Sequence, residues 1–165
     1  MANFLTNLRY VAWTPTPLEQ IEEWIAGQSS TRLFHPDGCL YLAIETIRDP
    51  KLIGLVSLWF PEREFDPAQF EIMIRQDLQR HGYGTEAFRG LLSFAFTGLC
   101  VRRIVADCDA RNIAARRLLV KVGMRQESEC IKDRLIKGEW VNTVSFALLR
   151  EEYKAAACLP AVRTR

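Results

Sequence analysis

The sequence predicts an α/β protein of mixed type, a central mixed sheet with helices on its faces. Three observations lead there. Apolar, β-rich runs and helical runs alternate in the order βα, a β-meander, then αβαββ. A short strand leads into a glycine pair, and an amphipathic helix leads out of it. The chain has 165 residues and is 48% hydrophobic, enough for one compact core.

Residues 5–11 read as a first strand. Thr16 as N-cap and Pro17 at the first helical position open a helix with Leu18, Ile21, Trp24 and Ile25 on one face; Gly27 ends it. Residues 28–38 are polar and loop-like. The runs 40–47 and 52–60 form a hairpin around Arg48-Asp49-Pro50-Lys51. A charged loop carrying Glu62, Glu64 and Asp66 precedes a strand over 70–75. The helix after the glycines buries Phe88, Leu91, Leu92, Ala95 and Phe96. Strand 101–108, helix 112–122 and strands 124–135 and 141–149 complete the order, with Lys137-Gly138 at the last turn. A single domain over 1–153 and a flexible tail over 154–165 are expected. Trp59, Phe60 and Trp140 read as packing residues.

Composition narrows the function classes. A net charge of +2 with dispersed basic residues and no interleaved stacking aromatics gives no nucleic-acid signature. The most apolar run, 52–60, is far too short to span a bilayer. Five cysteines (Cys39, Cys100, Cys108, Cys130, Cys158) form no Cys-x-x-Cys pair and only two histidines are present, so no metal site is expected. The odd cysteine count and an N-terminus without a basic and apolar leader suggest reduced thiols in the cytoplasm.

The most informative stretch is Gln79-Arg80-His81-Gly82-Tyr83-Gly84-Thr85-Glu86-Ala87. Glycines at a helix start let backbone N–H groups approach a ligand, and the helix dipole favours negative charge there, so the stretch reads as a phosphate cradle. A P-loop is excluded, because Thr85-Glu86 stands where Lys-Ser/Thr is required. Gly82-x-Gly84-x-x-Ala87 also fits the dinucleotide fingerprint, with Asp107 downstream for a ribose. The polar spacer 76–81 and the mid-chain position argue against it.

The stretch resembles motif A of the GNAT acetyltransferases, (Gln/Arg)-x-x-Gly-x-(Gly/Ala). A second signature follows at the expected distance: Asn112, then Arg116-Arg117-Leu118-Leu119-Val120-Lys121-Val122-Gly123-Met124. It is similar to the helix of the RimJ/RimL-like branch, and the ending from Lys137 to Tyr153 resembles that branch's last hairpin and strand. The resemblance covers residues 40–153.

This resemblance implies a GNAT fold with splayed parallel strands, the fourth and fifth of the chain, holding acetyl-CoA between them. The pantetheine would pair with the strand edge at Ile72, Met73 and Ile74. The pyrophosphate would lie on Gln79, Arg80, His81, Gly82, Tyr83, Gly84 and Thr85. Asn112 would hold the pantetheine or order the loop beside it, and Arg117 would reach the 3′-phosphate. Glu71 is the implied base for a primary-amine acceptor, either a peptide N-terminus or a small molecule. Three positions depart from the family pattern: Arg80 replaces a frequent glycine, Ala115 a serine, and Leu119 a tyrosine that protonates the departing thiolate in some relatives. The short stretch 17–39 implies an open acceptor site, or one completed by a partner subunit, and an exposed sheet edge admits a homodimer. The acidic loop at Glu62, Glu64 and Asp66 suits a polyamine, and antibiotic amines stay open. A non-catalytic acyl-CoA-binding regulator is the alternative from a different class.

Overall fold

The computed structural model describes residues 9–10, 17–28, 38–60 and 67–153. The expected strand over 5–11 lies outside them except for a short helical turn at 9–10, as do the Thr16 cap, the 61–66 loop and the tail. Helix α1 spans Leu18–Gln28. Strands β1 (Cys39–Glu45), β2 (Leu52–Trp59) and β3 (Ala68–Ile74) form the meander. Helix α2 (Tyr83–Ser93) continues into a π-helical turn, Phe94–Gly98. Strand β4 (Arg103–Asp109), helix α3 (Ile113–Lys121) and the hairpin of β5 (Arg125–Ile136) and β6 (Glu139–Leu149) follow.

The six strands form one sheet in the order β1-β2-β3-β4-β6-β5. All neighbours are antiparallel except β3 and β4, which α2 connects as a parallel crossover. With the 5–11 strand uncounted, the parallel pair expected as fourth and fifth is β3 and β4.

Strand alternation explains the two faces. Ile104, Ala106 and Cys108 alternate with Val105, Asp107 and Asp109 along β4. The first set joins Val56, Leu58, Phe70, Val144, Phe146 and Leu148 beneath α2 and α3. Helix α2 contributes Phe88, Leu91 and Leu92 and the π-helical turn adds Ala95 and Phe96, all buried. Phe88 packs on Phe70 with ring centres 3.6 Å apart. The opposite face carries the polar set Tyr41, Ser57, Trp59, Glu71, Asp107 and Ser145, beside the apolar Val105 and Ala147.

Gly54 in β2 lies opposite Ile74 of β3. A Cβ there would meet the Met73 carbonyl oxygen at 2.3 Å, so only glycine lets the two backbones approach this closely.

Candidate functional site

Strands β3 and β4 pair at only two positions, Ala68↔Ile104 and Gln69↔Val105. Beyond them the strands part, and a gap opens toward their carboxyl ends. Helix α2 starts after β3 and α3 after β4, so both helix N-termini stand at that open end. The start of α2 packs against both elements: a Cβ on Gly84 would lie 3.6 Å from Ile74 Cγ1 and 3.8 Å from Leu118 Cδ2. Crevices beyond the carboxyl ends of parallel strands are where α/β sheets hold ligands.

The edge of β3 has a defined polarity. The Arg75 N–H donates to the Ile53 carbonyl at 2.8 Å, so the polar groups of Arg75, Met73 and Glu71 turn to β2. Alternation turns those of Ile72 and Ile74 to the gap. The Gln79 side chain donates to the Ile74 carbonyl at 3.1 Å, tying the loop to the end of β3. Of the three edge residues expected, Ile72 presents its backbone to the gap and Met73 does not. Sequence reasoning gave the strand but not which of its edges each amide takes.

The loop itself is contorted. Arg80 has φ 65° and Gly82 φ 92°, both left-handed. The family's frequent glycine at position 80 has a physical reason here, and arginine adopts that backbone at a cost. The His81 ring donates from Nδ1 to the Gln79 carbonyl at 2.8 Å. Gly82 is the N-cap of α2; its carbonyl accepts from Thr85 N–H at 3.0 Å and from Glu86 N–H at 3.1 Å. The amides of Tyr83 and Gly84 precede the first intrahelical bond. The Thr85 amide is taken up by the Gly82 carbonyl.

Asn112 caps α3, its Oδ1 accepting from Ala115 N–H at 3.1 Å. Its own N–H donates to the Asp109 carbonyl at 2.8 Å. Of the two roles expected, ordering the loop is the one visible here. The same loop is braced by the buried Asp109 carboxylate, which accepts from Arg111 N–H at 2.8 Å and from its guanidinium at 2.7 Å. Arg111 also binds Glu139 of β6 at 2.9 Å. The Arg111 hydrogen bonds hold the Asp109 carboxyl below its usual range. Arg116 is tied to the Ala110 carbonyl at 3.2 Å. Arg117 is exposed and lines a groove between α3 and β5 with Ile113 and Val120. Leu119, 4% exposed, belongs to the core.

On the polar face, Glu71 stands at the mouth of the gap. It is two residues past the Gln69↔Val105 pair, and Asp107 is two residues past it on β4. Two carboxylates thus flank the split on one face. Desolvation raises the Glu71 carboxyl above its usual range, although the residue keeps solvent access; Arg134 and a hydrogen bond from the Trp59 indole N–H oppose the rise. Tyr41 packs edge-on against Trp59 with ring centres 5.5 Å apart. Asp107 accepts from Ser145 Oγ at 2.6 Å and faces the Arg134 guanidinium at 3.6 Å.

Trp59, Asp107, Arg134 and Ser145 were not in the sequence-predicted site. The signal for Asp107 is strand alternation, since equal offsets from a parallel pair put it level with Glu71. Nothing local to Arg134 marks it. Trp140 pairs across the hairpin with Leu135, as a packing residue would, and is 58% exposed. Among the described residues no group of His, Cys, Asp or Glu is arranged to hold a metal ion, and no helix is long and apolar enough to cross a membrane.

A gap in a parallel strand pair with two helix N-termini at its open end is an α/β crevice suited to a ligand that carries phosphate groups. The acetyltransferase (GNAT) domain model matches residues 2–125. The chain belongs to the GNAT acetyltransferase family. It is 37% identical over 105 residues to the uncharacterized N-acetyltransferase YnaD of Bacillus subtilis, covering 62% of this chain and 59% of the relative. It is 26% identical over 107 residues to the spermidine N(1)-acetyltransferase of Escherichia coli, covering 65% and 58%. These matches span less than two thirds of those relatives' length. Among solved structures, the spermidine N-acetyltransferase of Vibrio cholerae in complex with CoA and spermine superposes with a TM-score of 0.76 at 20% identity, covering 90% of this chain and 85% of that one. A GNAT-family acetyltransferase from Bacillus anthracis also gives 0.76, at 19% identity, covering 88% and 82%. At those identities the likeness is one of fold.

Proposed function

We propose that the chain transfers the acetyl group of acetyl-CoA to a primary amine, with Glu71 as the base. The observation that carries this reading is the two-rung pairing of β3 and β4, which leaves a gap with Glu71 at its mouth and the α2 amides at its end. The residues present fit the co-substrate: the Ile72 edge suits pantetheine amides, and the Tyr83 and Gly84 amides suit a pyrophosphate. Acetyl-CoA supplies the activated thioester when bound. Gln79, Arg80, His81, Gly82 and Thr85 hold or shape the phosphate loop, Asn112 fixes the neighbouring loop, and Arg117 offers charge to the 3′-phosphate. Glu71 takes a proton from the acceptor ammonium, and its raised carboxyl makes it a stronger base than a free glutamate. Trp59 orients it.

The two departures at Leu119 and Ala115 remove the family's usual helpers on α3, and water or a group not yet assigned protonates the thiolate in this reading. The motifs at Asn112 and 116–124 support the RimJ/RimL-like branch, whose acceptors include peptide N-termini. A polyamine acceptor has its own support, since Glu71 and Asp107 side by side suit a substrate with more than one cation. Free cysteines at 39, 100, 108 and 130 support a reducing, cytoplasmic setting.

The test is thiol release from acetyl-CoA with a panel of amines: peptides with free N-termini, spermidine, spermine and amino sugars. Glu71→Gln is expected to lower kcat by about 10²–10⁴ while leaving acetyl-CoA affinity unchanged. Unaltered turnover in this variant removes the base assignment. Tight acetyl-CoA binding with no amine supporting thiol release favours the regulatory reading.

A further inference from the structure

We infer that Arg134 is a positioning residue for this transfer: a double bulge in β5 curls it over the polar face, where its guanidinium pairs with Asp107 beside Glu71 at the mouth of the gap. The inference rests on the base assignment above.

The bulge is a built feature. Register moves from Cys130↔Thr143 to Arg134↔Val141, four steps along β5 against two along β6. The extra residues are clasped. Lys132 takes φ 48°, and its N–H donates to Asn142 Oδ1 at 3.0 Å. Asp133 accepts from Thr143 N–H at 3.2 Å and from Thr143 Oγ1 at 2.7 Å. Bulges bend and twist a strand and re-aim its side chains.

The bend is needed for reach. The partner of Arg134 is Val141, and the β6 partner of Asp107 is Ser145, four residues away. In a flat sheet that offset is roughly 13 Å along the strand, with two strand spacings to cross as well. The guanidinium nonetheless lies 3.6 Å from the Asp107 carboxylate. It also acts electrostatically on Glu71, against the effect of burial.

The groups facing Glu71 are few among the described residues. Strand β2 supplies Ser57 and the Trp59 donor. Strand β1 supplies Tyr41 and Cys39, both neutral near pH 7; burial pushes the Cys39 thiol up to about 11 and the Tyr41 phenol higher still. Strand β4 supplies Asp107, whose charge is shared between Ser145 and Arg134. Arg134 is the cation of this set. With it removed, the effect of burial on Glu71 is opposed by the Trp59 hydrogen bond and by no cation of this set.

The experiment is a pH titration of the side-chain carboxyls by carbon NMR on the full chain with ¹³C-labelled glutamate, with E71Q identifying the Glu71 signal. In R134Q the Glu71 midpoint is expected above that of the unaltered protein, with R134K restoring it in part. The acid limb of kcat/KM should move in the same direction, so that the loss of activity in R134Q is largest at low pH and shrinks at high pH. An unmoved Glu71 midpoint in R134Q overturns the inference and leaves the base assignment standing. Full acetyl transfer by E71Q instead removes the base assignment, whatever the titration shows.

Discussion

The two glycines of the phosphate loop should respond to the same substitution with opposite effects on stability. Gly82 has φ 92° and its added Cβ would meet nothing within 4 Å, so Gly82→Ala tests backbone strain alone. A left-handed backbone costs an alanine about 1–2 kcal/mol. Reduced freedom in the unfolded chain returns roughly 0.4–1 kcal/mol, for a net loss of about 1 kcal/mol. Gly84 lies in the first turn of α2, and its Cβ would make ordinary contacts at 3.6 and 3.8 Å. Alanine in a helix is favoured over glycine by about 0.5–1 kcal/mol. Thermal melts should therefore separate the two variants, Gly82→Ala melting a few degrees lower and Gly84→Ala a degree or more higher, at ~2–4 °C per kcal/mol for a chain of this size. Calorimetric titration with acetyl-CoA completes the test. Gly82→Ala should bind about tenfold more weakly, roughly 1.4 kcal/mol, because relief of its strained backbone re-aims the amides of the cradle, while Gly84→Ala, which the motif admits, should bind like the unaltered chain. A Gly82→Ala protein that binds acetyl-CoA like the unaltered chain would refute the cradle.

Asn112→Ala should cost about 1 kcal/mol in denaturant unfolding at unchanged m, and Asn112→Asp should restore it, because capping needs only the acceptor oxygen. Loss of acetyl-CoA affinity in the Asp variant at full stability would reveal an additional amide contact. Asp109→Asn should destabilise by roughly 1–3 kcal/mol at pH 7, through the weakened hydrogen bonds of Arg111. Its carboxyl is lowered in the folded state, so its contribution is present above the unfolded carboxyl value and fades as pH falls through the folded one. The gap between variant and unaltered protein should close in strong acid; a gap constant down to pH 2 contradicts the ion pair.

Residue pattern alone determined the order of the described elements from α1 onward, the glycine turn that opens α2 and the buried face of that helix. Those depend on spacing within a few residues: Phe88, Leu91, Leu92 and Ala95 repeat at helical intervals, and Gly82 and Gly84 sit at a helix start. Glu71 was legible through its place on a strand feeding that loop. Tertiary structure decided everything that depends on register between distant strands. Only pairing shows that β3 and β4 part after Gln69↔Val105, which sets Asp107 level with Glu71 and turns Ile72, not Met73, to the gap. Only the folded hairpin brings Arg134 to carboxylates that lie 27 and 63 positions earlier in the chain. The physical reason is range. Helix faces and turns are fixed by neighbours in sequence, whereas an active-site face is assembled by hydrogen-bond ladders and a bulge, whose geometry no single segment encodes.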